Sequence, residues 1–233
     1  MVAVVEQMTS AEAAQLLGVS SRQVARLVAT GDLTQVRTVG RALLIDATSV
    51  HRLHNKGARQ GRPWTDETTK AAIDILTDGH TGRLTQTERS RLRARLRRMS
   101  AQRFTQAMSR RAQIRRYRAS SSFLDMLRRE VTLTGSSAID ADRGVASRFG
   151  LAAAMRDTVD GYVDPATASR LVRQFHLVDD ADGNVTLRVV EAGPVGRHIA
   201  DDVTVALDLA ESLDVRERST ALALLGDRLA ALT

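Results

Sequence analysis

The sequence predicts an α+β protein made of a small N-terminal module and a larger, mainly helical second domain. Its 233 residues exceed one average domain. Capped helical patterns and two short β-branched runs fill the first module, whereas the rest of the chain combines many helical patterns with a few short strand patterns. We therefore expect a first domain over residues 1–54, a linker over 55–64 and an α+β domain over 65–233.

The composition excludes several classes of protein. A hydrophobic content of 43% and a charged content of 26% predict packed cores rather than disorder. The chain has no cysteine, which excludes disulfide frameworks, thiolate metal sites and cysteine nucleophiles. No apolar run approaches the roughly 20 residues of a membrane span, and the N-terminus lacks a signal pattern. We expect a cytoplasmic protein with no membrane partner.

The net charge of +7 is carried almost wholly by arginine, which supplies 32 of the 34 basic residues. Such a chain favours a polyanionic partner, although arginine in place of lysine is also what a GC-rich genome produces. The charge is uneven: residues 1–60 carry +3, residues 61–130 carry +10 and residues 131–233 carry −6. The function has to account for this polarity.

Two short helices open the chain. Thr9 with Glu12 forms a predicted capping box, Gly18 ends the first helix, and Ser20 with Gln23 begins the second. The predicted buried positions are Ala13, Leu16 and Leu17 in the first helix and Val24, Leu27 and Val28 in the second. Two short helices joined by a tight turn describe a helix-turn-helix.

The free face of the second helix is predicted to read DNA. It presents Ser21, Arg22, Gln23 and Arg26, of which the last three lie close together on one helical face. Arginine can bond guanine bidentately in the major groove, and glutamine can do the same with adenine. We predict that these four residues bind double-stranded DNA.

Two apolar runs, residues 36–39 and 43–45, flank a Gly40-Arg41 tip and predict a hairpin wing. Arg37 and Arg41 lie on or near this wing, where they can reach phosphate or a minor groove. Asp46 then caps a third helix that carries Val50 and Leu53.

Residues 8–54 resemble the excisionase or MerR-type winged helix-turn-helix. The matching elements are Ala13-Ala14, Leu17-Gly18-Val19-Ser20, Val24, Leu27, Gly31-Asp32-Leu33 and the Gly40-Arg41 tip followed by a helix. The family often has several bases at the wing tip, where this chain has Ala42 and Leu43 after Arg41. The resemblance implies DNA binding; the alternative is a small domain that contacts only protein.

The predicted linker contains Gly61-Arg62-Pro63, which resembles the core of an AT-hook and makes Arg62 a candidate phosphate contact. The structural alternative, which we favour, is that Pro63 and Trp64 lead into a helix capped by Thr65.

The basic middle of the chain is predicted to be helical. Thr85 with Glu88 opens a helix, and thirteen arginines stand against one acid between Arg83 and Arg118. Leu92, Leu96 and Met99 form its apolar stripe, with Arg91, Arg95 and Arg98 on one side and Arg89, Arg93 and Arg97 on the other. Three interpretations stay open: a solvated face partly neutralised by the acidic C-terminal part, additional phosphate contacts by Arg91, Arg95 and Arg98, or a docking surface for an acidic protein.

The acidic C-terminal part is predicted to mix helices and strands, including a hairpin over residues 177–190 with a polar turn. Its serines, aspartates and histidines do not assemble into a triad, a calcium loop or a metal site. We therefore expect no catalytic residue, no cofactor and no metal, and a protein that is not an enzyme.

Residues 113–225 are similar to actinobacterial helix-turn-helix proteins of the AbiEi-like antitoxin group. The similar segments are RYRASSSFLDMLRREVTLTGSSAID, DGYVDPATASRLVRQFHLVDDADGNVTLRVV and VALDLAESLDVRERSTALALL. The similarity implies a transcriptional regulator that represses its own operon and binds a nucleotidyltransferase-type toxin. Double-stranded DNA, such a toxin and a second copy of the chain are the expected partners. The alternative is an excisionase, a recombination directionality factor that bends DNA beside an integrase.

Overall fold

A computed structural model describes most of the chain, and the described residues fall into two compact units. The described ranges are 7–40, 42–57, 64–154, 156–191 and 201–232. Unit 1 comprises Met1–Gly61 and unit 2 comprises Arg62–Thr233. The α+β class is confirmed, because both units contain helices together with a β-sheet.

Unit 1 holds three helices and a three-stranded antiparallel sheet. Its elements are β1 Gln7–Thr9, α1 Ser10–Leu17, α2 Ser21–Ala29, β2 Gln35–Val39, β3 Ala42–Asp46 and α3 Ala47–Gly57. The strand order is β1-β3-β2. Strands β2 and β3 form the predicted hairpin, which leaves β2 at an edge of the sheet.

The predicted caps of unit 1 are confirmed. The Thr9 hydroxyl accepts from the Glu12 backbone N–H while the Glu12 carboxylate accepts from the Thr9 N–H, so two free helical donors are bonded reciprocally. Gly18 ends α1 in the left-handed region at φ 66°. The carboxylate oxygens of Asp46 accept from the N–H groups of Thr48 and Ser49 and so fix the start of α3.

Two features of unit 1 differ from the prediction. Strand β1 was not predicted. It is three residues long and ends in the Thr9 cap, so it is too short for a period-two alternation of side chains to be recognised in the sequence. Helix α3 continues to Gly57, so three residues assigned to the linker are helical. At the other end of that linker Trp64 is 8% exposed and packs in the core of unit 2.

Unit 2 holds most of the helices and a five-stranded mixed sheet. Its helices are α4 Asp66–Asp78, α5 Gln86–Leu96, α6 Ala101–Ala107, α7 Leu124–Glu130, α8 Gly135–Ala141, α9 Arg143–Arg148, α10 Pro165–Gln174, α11 Asp202–Leu209 and α12 Val215–Ala230, with one 3₁₀ turn at Ser121–Phe123. Its strands are β4 Gln113–Arg118, β5 Thr132–Leu133, β6 Val159–Val163, β7 Val178–Asp179 and β8 Val185–Val189.

The sheet of unit 2 has the order β5-β6-β8-β4-β7. Strands β6 and β8 are parallel, and the other neighbouring pairs are antiparallel. Both edge strands contain only two residues, a length that limits pairing with other chains.

The predicted hairpin over residues 177–190 is wrong. Strands β7 and β8 do not pair with each other, because β4 lies between them and pairs with both. Two strand spacings amount to about 10 Å, and the five residues of the turn are long enough to cross that distance. The turn residues are polar as predicted, but they pass over the end of a third strand instead of closing a hairpin.

Each unit has its own buried core. Ile45, Val24 and Val50 are fully buried at the centre of unit 1. In unit 2, one core lies among the helices around Phe104 and Leu225, and a second lies between the sheet and the helices α7 and α10. Because unit 1 has a core of its own, one face of a helix in this unit can be polar and exposed while the unit stays packed.

Candidate nucleic-acid interface

Helix α2 presents one polar face to solvent because its opposite face is buried. Val24 is 0% exposed, and Leu27 and Val28 are half-buried beside it. The helix starts at Ser20, whose hydroxyl accepts from the Gln23 backbone N–H at 3.2 Å. Packing on one side and a cap at one end fix the position of every side chain on the free side.

The four predicted reading residues of α2 are all exposed. Ser21, Arg22, Gln23 and Arg26 lie between the first and the sixth residue of the helix, the last three on the side away from Val24. The side chains of Arg22, Gln23 and Arg26 make no hydrogen bond or ion pair within the described residues, so their donors are available to a ligand. The structure therefore brings together three side chains that can donate to base edges in a major groove.

The wing places Arg37 next to β1. Arg37 is exposed on β2, and its Nε donates to Oε1 of Gln7 at 3.2 Å. This bond leaves the other guanidinium nitrogens available, so Arg37 can still contact phosphate. Val36 and Val39 on the same strand are 38% and 53% exposed, so the described part of unit 1 leaves β2 open to solvent.

Arg41 at the wing tip and Arg62 in the linker lie outside the described residues. Their predicted phosphate contacts stay predictions.

The two sides of the α5 stripe have different roles. Arg89 donates to the carbonyl oxygen of Thr81 at 3.2 Å, and Arg93 donates to that of Gly79, so both tie α5 to the segment after α4. Arg91, Arg95 and Arg98 are exposed on the other side. Arg95 lies over the indole ring of Trp64, whose centroid is 4.5 Å from the guanidinium carbon.

Unit 2 also contains a buried charge cluster, formed by Arg111, Arg188, Asp160, Asp208 and Glu211. Arg188 holds Asp160 through two bonds of 2.7 and 2.9 Å and contacts Asp208 at 2.8 Å. Arg111 binds Glu211 at 2.8 Å and also pairs with Asp208.

Hydroxyl groups complete this cluster. Tyr162 donates to Asp208 at 3.2 Å, and Thr134 donates to its second oxygen at 2.5 Å. The cluster therefore joins the sheet to α11 and its C-terminal turn through bonded charges, which is the arrangement that buried ions require.

Burial and electrostatics shift several pKa values inside the cluster. Burial raises the pKa of Asp160 against the opposing charge of Arg188, and two further shifts concern Glu211 and Tyr162. Burial by itself would raise the pKa of Glu211, but the guanidinium groups of Arg111 and Arg188 outweigh it and lower the pKa to about 2. Burial, reinforced by the charge of Asp208, raises the pKa of Tyr162 well above its ordinary value. The shifts of Glu211 and Tyr162 favour the protonation states that the hydrogen bonds need, so the cluster is consistent with a structural role.

Metal binding and membrane insertion find no support in the described part of the chain. No group of three or more histidines, aspartates or glutamates there could hold a metal ion. None of the described helices is long and apolar enough to cross a membrane.

Comparison with known proteins bears on unit 1. Residues 8–57 match the family model of a helix-turn-helix domain. The match covers α1, α2, the wing and α3, and it indicates a DNA-binding domain, as the sequence predicts. No curated protein and no solved structure matches the chain. The resemblance of residues 113–225 to AbiEi-like antitoxins is thus not shown by these comparisons.

Sequence reasoning missed two partners of the candidate residues. Gln7 orients Arg37 from a strand that carries no recognisable pattern. Trp64 lies beneath Arg95 although 31 residues separate them in the chain, so only the tertiary fold brings them together. A buried tryptophan next to an arginine-rich helix is the one signal that could have suggested the second contact.

Proposed function

We propose that the chain is a sequence-specific transcriptional regulator that binds double-stranded DNA through its helix-turn-helix domain. In this proposal Arg22, Gln23 and Arg26 read bases in the major groove, with Ser21 beside them. Arg37 and Arg41 contact phosphate or a minor groove from the wing. The protein acts by binding and has no catalytic step of its own.

The observation that carries the proposal is the unoccupied polar face of α2. Arg22, Gln23 and Arg26 are exposed and have no side-chain partner among the described residues, on a helix whose other face is anchored by Val24. A surface helix needs only charged side chains to be soluble. Arginine and glutamine side by side offer more than charge, because the guanidinium group matches the edge of guanine and the side-chain amide matches the edge of adenine. The family match to residues 8–57 supports the same conclusion.

The test starts from a binding site selected out of random duplex DNA with the full chain. Replacing Arg22 or Arg26 with alanine is expected to weaken binding to that site by about 1–3 kcal/mol, because each replacement removes a base contact. Binding to unrelated duplex should change much less, so the specificity ratio falls. Titration by fluorescence anisotropy on both duplexes measures this ratio.

Arg22→Lys is the matched control for charge. Lysine keeps the positive charge but lacks the planar fork, so we expect retained affinity for unrelated duplex and reduced preference for the selected site. An equal loss on selected and unrelated DNA in the alanine variants would contradict base reading by α2.

The finer proposal is an autorepressing antitoxin, and it is supported by the similarity of residues 113–225 to AbiEi-like proteins. It requires repression of the chain's own promoter and complex formation with a nucleotidyltransferase-type toxin. A reporter fused to that promoter and co-purification with the product of a neighbouring nucleotidyltransferase gene test the two requirements. An integrase gene as neighbour, with DNA bending by the purified chain, would instead favour the excisionase function.

A further inference from the structure

We propose that unit 2 carries a second DNA contact, a surface formed by Arg91, Arg95 and Arg98, which we name the α5 arginine row. It binds the phosphate backbone of the duplex independently of base sequence. The inference rests on the proposed function, because the polyanion in question is the DNA that the helix-turn-helix domain holds.

The first argument is the way unit 2 distributes its carboxylates. Arginines that connect its elements are paired with acids: Arg118 with Asp180 at 2.6 Å, and Arg156 with Asp140 at 2.7 Å. Further pairs of this kind are Arg83–Asp74, Arg148–Asp202, Arg170–Glu130 and Arg188–Asp160. The acidic C-terminal part is therefore engaged by other arginines. It does not neutralise the α5 arginine row through any ion pair among the described residues.

The second argument is the absence of acids from the row itself. The chain has no aspartate or glutamate from Arg89 to Arg118, a segment with twelve arginines. The one acid of α5, Glu88, has its carboxylate in the capping box with Thr85, and only Arg91 acts on it as a nearby charge. Like charges on one helical face cost stability, so a row of this kind is favoured where an anion is bound.

The third argument is the geometry of the row. Arg91 and Arg95 are four residues apart in α5, and Arg98 follows in the turn whose N–H bonds the carbonyl of Arg95. Seven residues of helix rise about 10 Å, a length over which one DNA strand presents about three phosphates. Contact of Arg95 with Trp64 limits the motion of the central member, which lowers the entropic cost of binding.

The chemistry of the row favours phosphate over bases. Its exposed members are three arginines, whose planar guanidinium groups bind phosphate oxygens bidentately, with no amide side chain among them to read an adenine edge. Trp64 is 8% exposed and so is not available for stacking on unpaired bases. Because both units belong to one chain, binding of the row to DNA that the helix-turn-helix domain holds is an intramolecular step.

The test compares the full chain with the double variant Arg91→Gln and Arg98→Gln on a 30-bp duplex of mixed sequence. Arg95 is kept so that its contact with Trp64 is undisturbed. Binding is measured by anisotropy between 50 and 200 mM salt, as in standard salt-dependence experiments. We expect the slope of log K against log salt to shrink by about 1.8, and affinity at 100 mM salt to fall roughly tenfold or more.

A matched control removes two charges elsewhere on unit 2. Arg129→Gln and Arg173→Gln change exposed arginines of α7 and α10 that have no partner among the described residues, so the net charge falls equally. We expect the salt slope of this control to stay near that of the unmodified chain. Circular dichroism of each variant establishes that it is folded.

Two outcomes would overturn the inference. An unchanged salt slope in the double variant Arg91→Gln, Arg98→Gln would overturn it. An acidic protein would then remain as the candidate partner of the row. An equal change in the control would show a general effect of net charge. Neither outcome touches the proposed function, which fails separately if the α2 variants keep the preference of the unmodified chain for its selected site.

Discussion

A single glycine shows how tightly the turn after β7 is packed against β4. A Cβ atom added to Gly183 would lie 2.0 Å from the carbonyl oxygen of Tyr117 and 2.8 Å from the backbone nitrogen of Arg118. Both atoms belong to the backbone of a strand that pairs on both sides, so neither can move without breaking ladder bonds. Only a residue without a side chain fits at this close approach.

We predict that Gly183→Ala destabilises the protein by about 1–3 kcal/mol or more, as overpacking does. Gly226→Ala is the matched control: it lies inside α12 with no atom within 4 Å of the added Cβ, so the better helix propensity of alanine should stabilise the protein by about 0.5–1 kcal/mol. Urea unfolding of the three proteins measures both changes. Similar stabilities of the two variants would contradict the close approach.

At the residue scale, the sequence predicts positions whose partners are local and fails where they are distant. The capping pairs Thr9–Glu12 and Thr85–Glu88 are three residues apart, so the pattern is visible in the chain and the structure confirms both boxes. The pairing of Arg111 with Asp208 joins residues 97 apart. No periodicity or spacing predicts such a bond, because it depends on how the sheet and α11 pack.

At the scale of elements, the buried charge cluster joins α11 to the sheet. Asp208 lies near the end of α11, Glu211 follows it, and Arg188 is on β8. Arg111 contacts two carboxylates and Arg188 contacts three, so removal of one acid leaves a buried guanidinium with fewer partners. Breaking a buried pair in this way is strongly destabilising.

The low pKa of Glu211 makes the stability of unit 2 depend on acid pH. Its pKa is about 2 in the folded protein against an ordinary value of 4.5, so the ionised carboxylate stabilises the fold above about pH 4.5. This contribution, about 3 kcal/mol, is lost as the pH falls from 4.5 towards 2. We predict that Glu211→Gln is less stable at pH 7 and loses less stability than the unmodified chain over that acid range.

Urea unfolding at several pH values between 7 and 2.5 measures this difference. Glu130→Gln serves as the control, since its carboxylate is 37% exposed and pairs only with Arg170 at the surface. Parallel pH profiles for Glu211→Gln and the unmodified chain would contradict the stabilising role of the Glu211 charge.

The predicted elements follow the same rule as the predicted residues. Helices with caps at both ends, such as α1 between Thr9 and Gly18, are predicted to within a residue. The hairpin over residues 177–190 is wrong because two neighbouring strand patterns do not reveal a third strand inserted between them. Pairing partners in a sheet depend on long-range contacts, which composition and period do not contain.

At the scale of the whole molecule, the distribution of charge does not follow the division of the chain into two units with separate cores. The helix-turn-helix domain lies in the part of the chain with a charge of only +3, whereas the surplus of +10 lies in residues 61–130. Net charge alone would thus have assigned sequence-specific DNA binding to unit 2, whereas the family match and the exposed polar face of α2 favour unit 1. The proposed α5 arginine row gives the surplus a role, as a sequence-independent contact beside a specific one.

The cores predict how the two units respond to mutation. Every described residue of the unit 1 core lies between Met8 and Leu53, and every described residue of the two other cores lies at or after Trp64. No core is shared, so a cavity in one should destabilise that unit alone. Ile45 and Leu187 are both fully buried, which makes them a matched pair.

We predict that Ile45→Ala and Leu187→Ala each cost about 2–5 kcal/mol in the unit that contains them. Hydrogen exchange of the full chain followed by mass spectrometry should show faster exchange over residues 7–57 in the first variant and over residues 113–189 in the second. Because unit 1 is small, Ile45→Ala should also abolish selective DNA binding, whereas Leu187→Ala should leave the preference of α2 for its site intact. Faster exchange in both units after either substitution would mean that the units stabilise each other, and the chain would then unfold as one cooperative body.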